Sequence, residues 1–255
     1  MTTRPIFISP ALPTELLSYI LQHHAYPTTL IICSSRTELL NSLSQDVQNR
    51  MNETNSVPDE DTIPAQAEQP PPARDTRTLG AVEHALVSSP LHQIATSRHI
   101  RIIYTPTVTH LRAYLSVFTP EDSRAPIPPA KFQAAGKRTP HLILYGFLDL
   151  HRDTSEWSAQ GLSNTASALV EIAHRLSWQA LIIESKKREP VSTFEATLSE
   201  TVPILSGGVR RYGLDSEDGA WSGRTVEVGR VLGRWCRFQR ALWDIEGNHD
   251  GGEET

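Results

Sequence analysis

Short apolar, β-branched runs alternate along this chain with segments of helical hydrophobic spacing, and no other sequence feature restricts its fold as strongly. TTLIICS (28–34), HIRIIYTP (99–106), HLILYG (141–146) and ALIIES (180–185) are nearly continuous apolar runs of strand length, the pattern of strands covered on both faces. Between them, RTELLNSLSQDV places Leu39, Leu40 and Leu43 on one face, and TVTHLRAYLSVF repeats Leu111, Leu115 and Phe118 at helical spacing. TLGAVEHALVSSPLHQIATS reads as a helix broken at Pro90, and LSNTASALVEIAHRLSW carries the stripe Leu169, Ile172, Ala173 and Leu176. Ahead of the first strand, Thr14 precedes ELLSYILQHH as an N-cap, so residues 1–24 read as an N-terminal helical segment. After the fourth strand, VPILSG is followed by the alternating runs RTVEVGRV and RWCRFQ, which predict an antiparallel hairpin around Leu232-Gly233. Parallel strands require helical crossovers. Four β-then-α units closing on antiparallel strands therefore predict a three-layer α/β domain over 25–243 with a mainly parallel sheet.

Two stretches break the alternation. Residues 51–76 hold five prolines (Pro58, Pro64, Pro70, Pro71, Pro72) and almost no large apolar side chain, so they cannot offset the entropy of ordering and predict a disordered insertion. A second insertion is expected at about 120–139, where Pro126, Pro128 and Pro129 cluster. Acid is concentrated likewise. Of the net charge of -5, residues 51–75 contribute -5 and the tail 244–255, expected to be disordered, another -5, which leaves about +5 on the rest. An anionic partner is compatible with that remainder. The longest apolar runs fall far below the roughly 18 residues of a membrane helix, and the N-terminus has neither a secretory nor a transit pattern. Cys33 and Cys236 form no disulfide framework, so a reduced compartment, cytosol or nucleus, is expected.

The order of these elements resembles the RecA-type recombinase core, especially the degenerate eukaryotic recombinase paralogues such as the subunits of the Shu complex. The phrases that carry the resemblance are the strand HIRIIYTP with its helix THLRAYLSVF, the strand HLILYG, the helix ending EIAHRLSW, and the strand ALIIES. The Gly- and Trp-containing VPILSGG and WSGRTVEVGRVLGRWCRF complete the set, and the likeness spans most of 25–240. It implies a RecA-like P-loop-type domain, but one with a degenerate phosphate loop. A phosphate loop needs GxxxxGK[ST] after the first strand, because glycines let backbone N–H groups wrap the phosphates and lysine neutralises their charge. Here Cys33 is followed by Ser34, Ser35, Arg36 and Thr37, with no glycine and no lysine. Arg36 either imitates the missing cation or is a surface residue at a helix start. The second nucleotide strand should end in an acid for Mg²⁺; Tyr145-Gly146 stands there instead, and Asp149 either faces the site after a bulge or belongs to a loop or cap.

No catalytic constellation is evident. Ten histidines show no Cys/His spacing for a metal, no G-x-S-x-G elbow exists, and Cys33 reads as a small apolar residue in a buried strand. The resemblance implies instead a non-catalytic subunit without cofactor, which binds DNA in the nucleus and assists homologous recombination. Its implied partners are another RecA-like paralogue subunit, a SWIM-domain protein and the RecA-type recombinase. The DNA loops of the family follow the third and fourth strands. Here they are 151–157, with Arg152 for phosphate and Trp157 for a stacked base, and the loop opened by Lys186, Lys187 and Arg188, which Arg210 and Arg211 extend. The same basic residues serve plain solubility equally well. Arg224, Arg230, Arg234, Arg237 and Arg240 against Glu227 suit DNA or a partner's acidic face; Trp221 and Trp235 read as core or interface packing, and Trp243 as a partner anchor. Two other readings stay open: an ATPase-dead RecA-fold scaffold in another assembly such as Elongator, and a remnant ATPase using Asp149.

Overall fold

The computed structural model describes residues 4–23, 25–55, 91–122, 125–127, 139–186, 193–205 and 224–245. Their strands are β1 (Ile6–Ala11), β2 (Thr28–Ile32), β3 (Ile100–Tyr104), β4 (His141–Tyr145), β5 (Gln179–Ser185), β6 (Thr201–Pro203), β7 (Thr225–Glu227) and β8 (Arg237–Gln239). The helices are α1 (Pro13–His23), α2 (Arg36–Asn55), α3 (Leu91–Ser97), α4 (Val108–Val117), α5 (Phe147–His151), α6 (Ala159–Leu176), α7 (Phe194–Ser199), α8 (Val228–Leu232) and α9 (Leu242–Ile245). Six strands form one sheet in the order β3-β2-β4-β5-β1-β8, and every pairing in it is parallel. β6 and β7 make a separate antiparallel pair.

Alternation within the strands builds a core on each face. Phe7, Ile31, Leu142, Leu144 and Ile182 point to one side, where Leu111 and Leu115 of α4 and Leu162, Leu169 and Ile172 of α6 cover them. Ile8, Leu30, Ile32, Ile143, Leu181 and Ile183 point to the other, against Leu16 and Ile20 of α1. Each fully buried side chain of this size contributes roughly 1.5–3 kcal/mol. The expected three-layer α/β architecture with a mainly parallel sheet is the one observed.

Three expectations change. First, the segment 1–24 supplies a central strand as well as a helix. IFISPA hides as a strand because Ser9 and Pro10 interrupt its apolar run, and proline has no N–H for a ladder. The chain accommodates Pro10 by a register shift: Ile8 pairs with Ile183, but Ala11 pairs with Ser185. Second, the hairpin of RTVEVGRV with RWCRFQ does not form. Val228, Val231 and Leu232 are buried at helical spacing in α8, which carries the chain across to β8, parallel to β1. The antiparallel partner of β7 is β6. Third, α2 runs to Asn55, so the first five residues of the expected insertion at 51–76 are helical; 56–76 lie outside the described residues. Within 120–139, Pro120–Asp122 form a 3-10 turn, and Ala125 accepts a 3.0 Å hydrogen bond from Tyr26 Oη. The tail from 246 onward lies outside the described residues, as does the helical pattern ahead of Pro90. Among the described residues, no helix is long and apolar enough to cross a membrane.

The turn into α6 is closely fitted. Ser158 caps the helix by accepting from Gly161 N–H at 3.0 Å. Arg112 of α4 donates to Gly161 O at 2.9 Å, to Thr165 Oγ1 at 2.9 Å and to Glu156 at 2.6 Å. A Cβ on Gly161 would lie 2.1 Å from the Glu156 carbonyl oxygen, whereas one on Gly229 would lie 3.1 Å from its nearest neighbour. Gly161→Ala should therefore destabilise the fold by about 1–3 kcal/mol, and Gly229→Ala by less. Urea unfolding of both variants checks the order; an unperturbed Gly161→Ala would mean that the 156–161 turn is not held as described.

Candidate functional site

In a parallel sheet, ligand sites form where strands end and helices begin, because helix N-terminal N–H groups and the helix dipole attract anions. Here the turns after β1, β2 and β4 share one edge of the sheet. At each, a carboxylate of the chain itself occupies those donors.

After β1 the chain turns at once into α1, with Pro13 as its first residue. Leu12 N–H donates to Glu15 Oε2 at 2.7 Å. Thr14 donates twice to Asp46 Oδ2 of α2, from its N–H at 3.1 Å and from Oγ1 at 2.6 Å. Asp46 is 3% exposed and is joined by Arg50 at 3.5 Å, one turn on in the same helix. Burial pushes the Glu15 carboxyl above its ordinary range. After β2, Ser35 and Glu38 cap each other: Ser35 N–H donates to Glu38 Oε2 at 2.7 Å, and Glu38 N–H to Ser35 Oγ at 3.2 Å. These hydrogen bonds hold the Glu38 carboxyl below its ordinary range. After β4, Gly146 adopts φ 82°, a left-handed conformation open to glycine, and α5 follows. Leu148 N–H of α5 donates to Glu184 Oε1 of β5 at 2.9 Å.

Glu184 is the most unusual group at this edge. It is buried, its Oε2 finds no hydrogen-bond partner among the described residues, and burial, with Asp149 adding to it, pushes its pKa up to about 8. Tyr145 Oη donates to Ala11 O at 2.9 Å and so links the ends of β4 and β1.

The sheet also moves the comparison with a phosphate loop. Its first strand is β1, so the loop after the first strand is Leu12-Pro13-Thr14 rather than Ser34, Ser35, Arg36 and Thr37. Neither turn contains glycine or lysine. Ser34 and Ser35 are half-buried, and Arg36 and Thr37 are exposed at the first positions of α2. Asp149 lies in the first turn of α5 and pairs with Arg152.

Arg152 is fully engaged within the chain. Its guanidinium grips Glu200 with two hydrogen bonds, Nη2 at 2.5 Å and Nε at 3.2 Å, pairs with Asp149, and lies 5.5 Å from the Trp157 ring centroid. Trp157 is half-buried against the core. These contacts fasten the loop after β4 to the segment between α7 and β6. His151, buried, donates from Nδ1 to Phe147 O at 2.7 Å, and its Nε2 lies 2.9 Å from Thr165 Oγ1; burial holds its pKa down. Lys186 follows β5 and is half-buried, its N–H donating to Ala11 O at 3.0 Å. Lys187, Arg188, Arg210, Arg211 and Trp221 lie outside the described residues.

Trp243, read as a partner anchor, instead packs inward: its Nε1 donates to Pro10 O at 2.9 Å, and its ring meets Tyr19 edge-on at 5.5 Å. Arg240 pairs with Glu195, while Arg224, Arg234 and Arg237 are exposed. Cys33 and Cys236 are buried free thiols, and burial pushes Cys236 up to about 12. Among the described residues, no three His, Cys, Asp or Glu side chains are grouped to hold a metal. Four site residues, Glu15, Glu38, Asp46 and Glu184, were not among the sequence-predicted ones. Glu184 was legible as an acid closing the apolar run ALIIES, whereas nothing local marks Asp46 among the polar residues of its helix.

The raised pKa of Glu184 has a direct consequence for stability. Between the ordinary carboxylate range and about 8, the folded chain holds a proton that the unfolded chain releases, so this group's stabilisation is lost as pH rises through that window. Glu184→Gln keeps the acceptor for Leu148 and removes the ionisation. Its melting temperature should exceed that of the wild type at about pH 9 and approach it at about pH 5. Thermal melts across that range check this, and a difference independent of pH would mean that Glu184 does not titrate in the folded chain.

No protein-family model matches the chain, and no curated protein matches it in sequence. In structure it is similar to a DnaB-like replicative helicase, one described together with its interactions with primase. The TM-score is 0.33 at 11% identity, over 74% of this chain and 39% of the helicase chain.

Proposed function

We propose that this chain is a non-catalytic RecA-like subunit that binds DNA and partner subunits and assists homologous-recombination repair in the nucleus. The observation that carries the non-catalytic part is the occupancy of the sheet's carboxyl edge. Glu15, Asp46, Glu38 and Glu184 take the donors that a nucleotide phosphate would use, and Glu38, held ionised by its hydrogen bonds, adds negative charge at this edge. Another RecA-like paralogue subunit, a SWIM-domain protein and the RecA-type recombinase are the partners this reading calls for. The DNA part is supported by Lys186, which opens the basic run completed by Lys187 and Arg188 in the loop after β5. It is supported also by the excess of about +5 outside the two acidic segments.

A second reading, an ATPase-dead RecA-fold scaffold in another assembly such as Elongator, is favoured by one observation. Arg152 and Trp157, which the DNA reading would place on phosphate and base, are tied to Asp149, Glu200 and the core. Capture of partners from nuclear extract separates the two: recombinase paralogues support repair, and other assembly subunits support the scaffold.

Isothermal titration of the chain with ATP and Mg²⁺ should give no binding heat up to about 1 mM, a concentration at which even a weak site would report. Micromolar binding would overturn the non-catalytic reading. For DNA, replacing Lys186, Lys187 and Arg188 together by alanine should weaken binding irrespective of sequence and flatten the slope of log affinity against log salt by about 2–3 units. An unchanged slope in a folded variant would return the cluster to plain solubility.

A further inference from the structure

At the opposite edge of the sheet, where the strands begin, three distant segments enclose a groove of about 440 Å³, within the size range of ligand clefts. One wall is the last three turns of α6, with Val170, Glu171, His174 and Arg175; the other is Arg4, just ahead of β1, and Trp235, just ahead of β8. The β1–β8 pairing brings Arg4 to this wall, because Arg237 N–H donates to Pro5 O at 2.9 Å. Arg4 Nη2 then donates to the carbonyls of Gly233 at 2.8 Å and Arg234 at 2.9 Å. Those carbonyls hold the guanidinium in place without neutralising it, and no carboxylate pairs with Arg4 among the described residues. Arg175 donates to Phe118 O at 3.2 Å and meets Glu171 at 3.2 Å. Trp235 Nε1–H, shielded from solvent, finds no acceptor among the described residues.

The groove therefore offers donors in excess: two guanidinium groups and an imidazole stand against one carboxylate, already engaged. Between them lies apolar surface from Val170 and the Trp235 ring. We propose that this groove is the docking site for an acidic peptide segment of a partner protein. An apolar side chain of the segment fills the floor, and its flanking carboxylates meet Arg4 and Arg175. A peptide matches the floor and its cationic rim together, because it can set Leu or Phe directly beside Asp or Glu. Arg and Trp are also the residues that most often carry binding energy in such interfaces. The groove lies on the opposite edge from Lys186, so its failure and that of the DNA reading are separable.

Ser167 provides the test. It lines the groove, and among the described residues its hydroxyl bonds only to Asn164 O of its own helix, at 2.9 Å. A random peptide library selected on the full chain should enrich sequences with Asp or Glu on both sides of a single Leu, Ile, Phe or Trp. Fluorescence anisotropy with an enriched peptide should show binding weakened about fivefold by Ser167→Glu and strengthened by a similar factor by Ser167→Lys. Circular dichroism melts confirm that both variants are folded. Absence of an acidic motif, equal affinity of the two variants, or the same charge dependence for an oligothymidylate that displaces the peptide would each overturn the proposal; the last would make the groove a nucleic-acid site.

Discussion

The parallel pairing of Ile6, Phe7 and Ile8 with Leu181, Ile182 and Ile183 is the constraint on which the rest of the molecule depends. It places the first strand inside the sheet, between β5 and β8, with Phe7 in one core and Ile8 in the other. Everything at the two strand edges follows. At the carboxyl edge, Ala11 accepts from Tyr145 Oη and Lys186 N–H, which locks the ends of three strands together. At the amino edge, the same strand delivers Arg4 to the 233–235 turn. The shift in register at Pro10 ends the regular pairing, and α1 starts three residues beyond it in proline-initiated form.

At the carboxyl edge, carboxylates of the chain itself sit at the helix N-termini. Helix N-termini carry partial positive charge and unpaired N–H groups that must be satisfied by something. A nucleotide-binding loop leaves them to the ligand. Here Asp46 reaches across from α2 and Glu184 from β5, and both are buried, so they are not displaced as an exposed side chain would be. The cost is visible in Glu184, whose second oxygen has no hydrogen-bond partner among the described residues and whose proton is retained to about pH 8.

The clusters around Arg112 and Arg152 act differently. Both guanidinium groups are about 30% exposed, at 30% and 28%, where ion pairs contribute little to stability. Their effect is geometric. Arg112 joins α4 to the turn into α6 through Glu156, Gly161 and Thr165, and Arg152 joins α5 to Glu200. The loop after β4 is thus held at both ends, and its aromatic residue, Trp157, is half-buried against the core rather than presented to solvent.

What could be read from the residues alone was set by local physics. Apolar runs such as HLILYG and ALIIES, and stripes such as Leu169, Ile172 and Ala173, announce strands and helices because burial on two faces or on one imposes their period. They were sufficient for a parallel, three-layer α/β architecture, and the lack of glycine and lysine in the turn after TTLIICS was legible in the same way. Strand order was not. IFISPA joins the sheet because β5 and β8 flank it, and Val228, Val231 and Leu232 fold as a helix because the crossover to β8 requires one. The roles of charged residues were decided there as well, since the charge of Arg152, Asp46 or Arg4 acquires meaning only through the partner that a distant segment brings to it. Sequence spacing determines the period of an element. Its neighbours, and hence its chemistry, come from how the elements pack.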